Sequence, residues 1–237
     1  GLIGGVIQPL YGGFPVTLMS PVALIQKPIR WLKALSKYKA TTSGGPNFAY
    51  DLVSRQVTPE QLKNLDLSSW SVAFSGAEPV RGATLERFAN TFAPCGFRQE
   101  AFYPCYGMAE TTLFISGGTK TKAPVIKYVD AEALAENRVV VGGEKSKAVV
   151  SCGWGWLGDE IVIVDPESLT RRSEGEVGEI WVSGAGVGKG YWQQPEETEQ
   201  TFNGFLADQG PFLRTGDLGF LQDGELFITG RIKDVMT

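Results

Sequence analysis

The chain has 237 residues, 43% apolar and 20% charged, enough to bury one large core or two modest ones. Its 22 lysines and arginines stand against 26 acids, a net charge of −4, which excludes the broad basic field of a nucleic-acid binder. Histidine is absent, and Cys95, Cys105 and Cys152 have no C-x-x-C spacing, so zinc sites, disulfide frameworks and His-activated nucleophiles are excluded as well.

No run approaches the roughly 18 consecutive apolar residues of a transmembrane segment. Gly1-Leu2-Ile3-Gly4-Gly5 lacks the basic start of a signal peptide, so the expected address is the cytoplasm. The abrupt apolar start and the end at Met236-Thr237 are those expected of a fragment.

Val16–Met19 has the composition of a strand. Pro28 can open a helix in which Ile29, Leu32, Leu35 and Tyr38 recur at helical spacing. Lys27, Arg30, Lys33, Lys37 and Lys39 decorate this stretch as a solvated face. A further helix is expected over Asn47–Arg55, and Thr58-Pro59-Glu60-Gln61 has the form of a capping box with proline at the first helical position. Ser71–Ser75 then reads as a buried strand, followed by a helix over Arg81–Phe92 with Leu85, Phe88 and Phe92 on one face.

From about Ala123 the texture changes to short β-type runs: Val125–Val129, Arg138–Val141, Glu160–Val164, Glu179–Ser183 and Gly219–Thr229. The last holds Asp223-Gly224, a strong two-residue hairpin turn. The expected fold class is α/β: an α/β layered subdomain over 1–122, truncated at its N-terminal side, then a mainly β subdomain over 123–237 resembling a small antiparallel barrel or sandwich, with Gly117–Pro124 as the linker.

Four strings carry chemistry. Ser75-Gly76-Ala77-Glu78-Pro79 follows a buried strand, where open α/β sheets place ligands, and its small residues could pass a planar base over bare backbone. In Tyr106-Gly107-Met108-Ala109-Glu110 a ring can stack on a base, a glycine admits close approach, and a carboxylate four residues on can hold Mg²⁺ beside phosphate oxygens. Arg214-Thr215-Gly216-Asp217 sets a carboxylate before the terminal hairpin, able to accept from two vicinal ribose hydroxyls. Gly230-Arg231-Ile232-Lys233-Asp234 closes the set. Singly each string also suits an ordinary turn; the four in order favour nucleotide handling. Gly184-Ala185-Gly186-Val187-Gly188-Lys189-Gly190 lacks the Gly-Lys-Ser/Thr of a phosphate loop and runs into Tyr191-Trp192, so it is set aside.

With these motifs, and with Gly44-Gly45-Pro46-Asn47-Phe48, Gly190-Tyr191-Trp192 and Pro195-Glu196-Glu197-Thr198, the chain resembles the superfamily of acyl-CoA synthetases, nonribosomal-peptide adenylation domains and luciferases, and within it a fatty acyl-AMP ligase. The resemblance implies that Tyr106 stacks on adenine, that Gly76, Ala77 and Glu78 line the base, and that Gly107 and Met108 lie at the nucleotide. It implies catalytic Glu110 on Mg²⁺, Asp217 on the ribose with Arg231 beside it, and Lys233 as the hinge to a C-terminal domain. Gly45, Asn47, Phe48 and Met108 match the acyl-tunnel wall.

Ala109, where many members of the superfamily carry Thr, and Pro104, where many carry an amide, follow the acyl-AMP ligase pattern. The stretch between Gly118 and Trp156 resembles the insertion of those ligases that goes with poor use of coenzyme A.

The implied reaction joins a long-chain fatty acid to ATP as acyl-adenylate with release of pyrophosphate. The acyl group then passes to an acyl-carrier protein of a polyketide or lipopeptide pathway. The family's phosphate loop is expected before Gly1 and its C-terminal domain, with the adenylation lysine, after Thr237, so the chain alone is expected to adenylate weakly. A long-chain acyl-CoA synthetase and a non-catalytic adenylate-binding fragment stay open as alternatives.

Overall fold

Apolar positions that recur along residues 29–102 converge on one aromatic core. The computed structural model describes residues 1–156 and 158–235, with the side chain of 235 left aside. Two compact units account for the chain: the first takes Gly1–Glu78, Ala83–Tyr103 and Lys120–Ala123, and the second takes Pro79–Gly82, Pro104–Thr119 and everything from Pro124.

The first unit starts with a π-helical turn, Ile3–Ile7, that runs into α1 (Gln8–Gly12), followed by α2 (Pro21–Gln26). Val16–Met19, expected as a strand, is irregular coil. Its composition suits a strand, but a strand must bury one face against a ladder partner, and here Val16 and Leu18 stand exposed. Helix α3 (Ile29–Tyr38) buries Ile29, Trp31, Leu32 and Leu35 and has Pro28 at its N-cap. Strand β1 (Thr42–Gly45) leads to α4 (Asn47–Gln56) and to the short α5 (Pro59–Leu62). The Thr58 N–H donates to Gln61 Oε1 at 3.1 Å, one half of the capping box read from sequence.

Strand β2 (Val72–Ser75) pairs parallel to β1, with Gly45 opposite Ser75, so both strands end side by side at their carboxyl ends. Gly44 is required there, since a Cβ would lie 2.0 Å from the Phe74 carbonyl oxygen. Helix α6 (Gly82–Phe92) presents Leu85, Phe88 and Phe92 inward as expected. Phe88 is fully buried, with ring neighbours Tyr50, Trp70, Phe92, Phe97 and Phe102 at centroid distances of 4.5–5.9 Å, mostly edge to face. Such pairs add about 0.5–1.5 kcal/mol each beyond the area they bury.

Strand β3 (Phe102–Tyr106) passes from the first unit into the second, where it forms an antiparallel hairpin with β4 (Ser116–Gly117). Gly117, expected within the linker, lies in that strand. Strand β5 (Ile126–Asp130) continues into α7 (Ala131–Ala135), whose cap is the Asp130 carboxylate accepting from the Glu132 and Ala133 N–H groups. Strand β6 (Ser146–Val150) returns antiparallel along β5, and β7 (Trp154–Gly155) pairs with β4.

Arg138–Val141, expected as a strand, instead makes two isolated bridges, Arg138 to Glu176 and Val141 to Val129. Left-handed backbone at Asn137 on one side and at Gly142 and Gly143 on the other turns the chain too soon for a continuous ladder.

The remaining strands are β8 (Glu160–Val164), β9 (Gly178–Ser183), β10 (Gly204–Leu206), β11 (Gln209–Gln222) and β12 (Glu225–Arg231). They form an antiparallel sheet in the order β10-β11-β9-β8, with β12 on the other part of β11. Helix α8 (Pro195–Phe202) precedes β10, and α9 (Ile232–Val235) follows β12. Asp223 and Gly224 both have positive φ, as a primed hairpin turn demands. Ile115, Ile163, Ile180, Val182 and Leu226 pack as one buried cluster, with Tyr106 and Met108 against its edge.

Candidate functional site

A break in strand register presents Asp217. Strand β11 pairs with β9 as Arg214 to Trp181 and next as Leu218 to Glu179, so four steps on one strand oppose two on the other. Thr215, Gly216 and Asp217 therefore stand out as a bulge, the device by which a sheet re-aims a side chain. Each member is tied down. The Thr215 hydroxyl donates to the Ile180 carbonyl at 2.7 Å, the Gly216 N–H to Glu179 Oε1 at 3.1 Å, and the Asp217 N–H to Thr215 Oγ1 at 3.1 Å. Glu179 is 2% exposed and its charge is paired with Arg214 Nη2 at 3.1 Å.

Tyr106 ends β3, 111 positions away in sequence, and its hydroxyl donates to Asp217 Oδ2 at 2.6 Å. Arg231 stands opposite Asp217 across β11 and β12 and brings its Nε to 3.4 Å from Oδ1. Burial raises the Asp217 carboxyl above its ordinary range; the Tyr106 hydroxyl and the Arg231 charge pull it back, while the charges of Asp234 and Glu110 push the same way as burial. The Tyr106 phenol is driven far above its usual value by burial first and by the Asp217 charge second, so it remains a donor.

Glu110 lies in a 3₁₀ turn, Ala109–Thr111, at the tip of the β3–β4 hairpin. Gly107 makes the hairpin possible: a Cβ there would sit 1.8 Å from the Leu113 carbonyl oxygen. The close approach that the glycine permits is thus to the returning strand, where Ile115 N–H donates to the Tyr106 carbonyl at 2.9 Å. Met108 packs against the apolar cluster. The Glu110 carboxylate accepts from the Tyr191 hydroxyl at 2.7 Å through Oε1. The second unit accordingly brings together Tyr106, Asp217 and Arg231 in direct contact and holds Glu110 near enough for its charge to act on Asp217. Lys233 is exposed in α9, two residues past Arg231.

The other predicted residues lie in the first unit, at the carboxyl ends of β1 and β2. Gly76, Ala77 and Glu78 follow β2 directly, with Ala77 held at φ +69°, a left-handed conformation that costs a side-chain-bearing residue about 1–2 kcal/mol. Such strain is found mainly where structure around it serves a site. Glu78 does not merely line a surface: its Oε1 accepts from the Phe48 N–H at 2.6 Å and so caps the start of α4. Asn47 is buried and donates to Thr84 Oγ1 at 3.3 Å, and Gly45 faces Ala49 Cβ at 3.5 Å from where its own Cβ would be.

Sequence reasoning assigned no role to Tyr191, Thr215 or Glu179. Tyr191 stands in the Gly190-Tyr191-Trp192 string, where no local signal tells that its hydroxyl reaches a carboxylate 81 positions earlier. Thr215 and Glu179 act through the bulge, whose existence depends on the pairing of two strands.

A model of the AMP-binding enzyme family matches residues 1–192. The chain belongs to that family. Among its relatives, the medium-chain-fatty-acid–[acyl-carrier-protein] ligase JamA of Moorena producens is 51% identical over all of this chain and 41% of its own length. The corresponding ligase TtuA of Teredinibacter turnerae is 47% identical, again over all of this chain and over 38% of its own. The crystal structure of a fatty acid AMP ligase from Legionella pneumophila superposes with a TM-score of 0.95 at 48% identity, covering 99% of this chain and 41% of that one. A Legionella pneumophila fatty acyl-adenylate ligase in complex with acyl adenylate and pyrophosphate gives 0.94 at 48%, covering 99% of this chain and 42% of that one. The chain thus spans about two fifths of the length of these family members.

Within the family's nucleotide chemistry, the residues suit a shared rather than a self-contained cation. Among the described residues no three Cys, Asp or Glu side chains cluster as metal ligands. Mg²⁺ seldom needs such a cage, since one or two carboxylates plus nucleotide phosphates suffice. Glu110 fits that description: among the described residues only Oε1 is engaged, which leaves Oε2 to a cation. Among the described residues no helix is long and apolar enough to cross a membrane.

Proposed function

We propose that the protein to which this chain corresponds activates a fatty acid with ATP, forming acyl-adenylate and pyrophosphate, and delivers the acyl group to an acyl-carrier protein. The observation that carries this reading is the convergence of Tyr106, Asp217 and Arg231 from three separated stretches of sequence, with Glu110 close enough for its charge to act on Asp217. Likeness to the carrier-protein ligases JamA and TtuA supports the acceptor. A cytoplasmic location goes with this reading, since ATP and carrier proteins are found there.

Two of the proposed roles have contacts that support them, and the others rest on the family resemblance. Asp217 spends one lone pair on Tyr106 and faces Arg231, which leaves acceptor capacity for two ribose hydroxyls. Tyr106 offers its ring to adenine while its hydroxyl fixes the Asp217 rotamer. Gly76, Ala77, Glu78, Gly107 and Met108 are assigned to the nucleotide, and Gly45, Asn47 and Phe48, again with Met108, to the acyl chain. Lys233 is assigned to a hinge preceding a C-terminal domain, and the division at 122/123 is proposed as the subdomain boundary.

Glu110 is the residue proposed to hold Mg²⁺, which when bound neutralises phosphate charge. In the reaction a fatty-acid carboxylate oxygen bonds to the α-phosphorus and the bond to the bridging oxygen of pyrophosphate breaks. No protein nucleophile is consumed, so a chain without histidine can host it by positioning and electrostatics.

Pyrophosphate exchange with dodecanoate, measured on the full-length protein, tests the reading. Exchange that depends on fatty acid, with acyl transfer to a carrier protein and little thioester from coenzyme A, is expected. Abundant acyl-CoA would turn the assignment to an acyl-CoA synthetase, and adenylate binding without exchange would leave a non-catalytic binder.

A further inference from the structure

The glycine-rich run 184–190, set aside as a phosphate loop, is built around Glu110. The Gly188 N–H donates to the Glu110 carbonyl at 2.7 Å, and Thr112 Oγ1 donates to the Gly186 carbonyl at 2.8 Å, so the run clasps the turn on both sides of the carboxylate. Gly190 has φ +139°, and a Cβ there would fall 2.3 Å from Thr198 Cγ2, so only glycine lets the chain pass α8 so closely. Thr198 then fixes the next residue: the Tyr191 N–H donates to Thr198 Oγ1 at 2.9 Å. The Tyr191 ring meets Phe202 edge to face at 5.1 Å, with an interplanar angle of 79°. Two contacts from one helix thus set the direction of the Tyr191 hydroxyl, which ends 2.7 Å from Glu110 Oε1.

We propose that Tyr191 is a positioning residue for Glu110, orienting its carboxylate so that Oε2 faces the cation of a metal–ATP complex. This rests on the assignment of Glu110 to Mg²⁺ above. A hydrogen bond that orients a metal-binding side chain is typically worth 10- to 100-fold in metal affinity.

The test uses Mn²⁺ as a paramagnetic probe on the full-length protein, with electron paramagnetic resonance reading free metal in the presence of ATP. Tyr191→Phe keeps the contact with Phe202 and removes only the donor. It is expected to melt with the wild type yet to weaken Mn²⁺ in the ATP complex about 10-fold, and to raise the Mg²⁺ needed for half-maximal pyrophosphate exchange without changing KM for fatty acid. Unchanged Mn²⁺ affinity in Tyr191→Phe would overturn the proposal, as would an equal loss of ATP binding measured without metal. Glu110→Gln is the control: if it binds Mn²⁺ and ATP like the wild type, the underlying assignment of Glu110 fails, and the role of Tyr191 with it.

Discussion

Asp217 combines a half-buried position with a charge that the fold partly compensates, and this has a consequence for stability. Its carboxyl is raised above the unfolded value, so between the two values the folded state holds more protons and stability falls as pH rises through that window. Asp217→Asn, uncharged at all pH, lacks that fall. Thermal melting from pH 4 to 7 is therefore expected to show the substituted protein gaining on the wild type as pH increases, while nucleotide binding by calorimetry is lost. A wild-type advantage that grows toward neutral pH would contradict the burial argument. Glu179, more buried still, has both of its oxygens satisfied, by Arg214 and the Gly216 N–H.

At the level of elements, the β3–β4 hairpin ties recognition to backbone closure. Tyr106 and Glu110 sit on either side of Gly107, and the returning strand leaves no room for a side chain there. Gly107→Ala must open the hairpin, at a cost of about 1–3 kcal/mol as for other overpacked sites. Urea unfolding measures the cost, and ATP affinity is expected to fall with it, since the Tyr106–Asp217 hydrogen bond depends on where the hairpin ends. An Ala substitution that is neutral in both measurements would show that the hairpin has slack. The bulge at 215–217 is the partner device, and both work by displacing one side chain from a regular ladder.

For the molecule as a whole, stability of the first unit rests on rings. Phe88 touches five of them and is fully buried, so Phe88→Ala is expected to cost about 3–5 kcal/mol in chemical denaturation. A loss below about 1 kcal/mol would mean that the cluster collapses into the space, which interlocked edge-to-face rings resist. The second unit packs aliphatic side chains between paired strands, Ile115, Ile180 and Leu226 fully buried among them, and also buries the stacked rings of Phe220 and Phe227.

Local chemistry made α3, α4, α6, β8 and the terminal hairpin legible in sequence, because helical spacing, proline position and Asp-Gly turns act within a few residues. It misjudged Val16–Met19 and Arg138–Val141 for the complementary reason: β composition does not make a strand without a partner to complete the ladder. The motifs named Tyr106, Glu110, Asp217 and Arg231 one by one and, through resemblance, the family. What the amino-acid order could not contain is which hydroxyl meets which carboxylate. The Tyr106–Asp217 and Tyr191–Glu110 hydrogen bonds span 111 and 81 positions, and the bulge arises from register between two strands. Those are properties of paired and packed elements, so only the tertiary structure decided them.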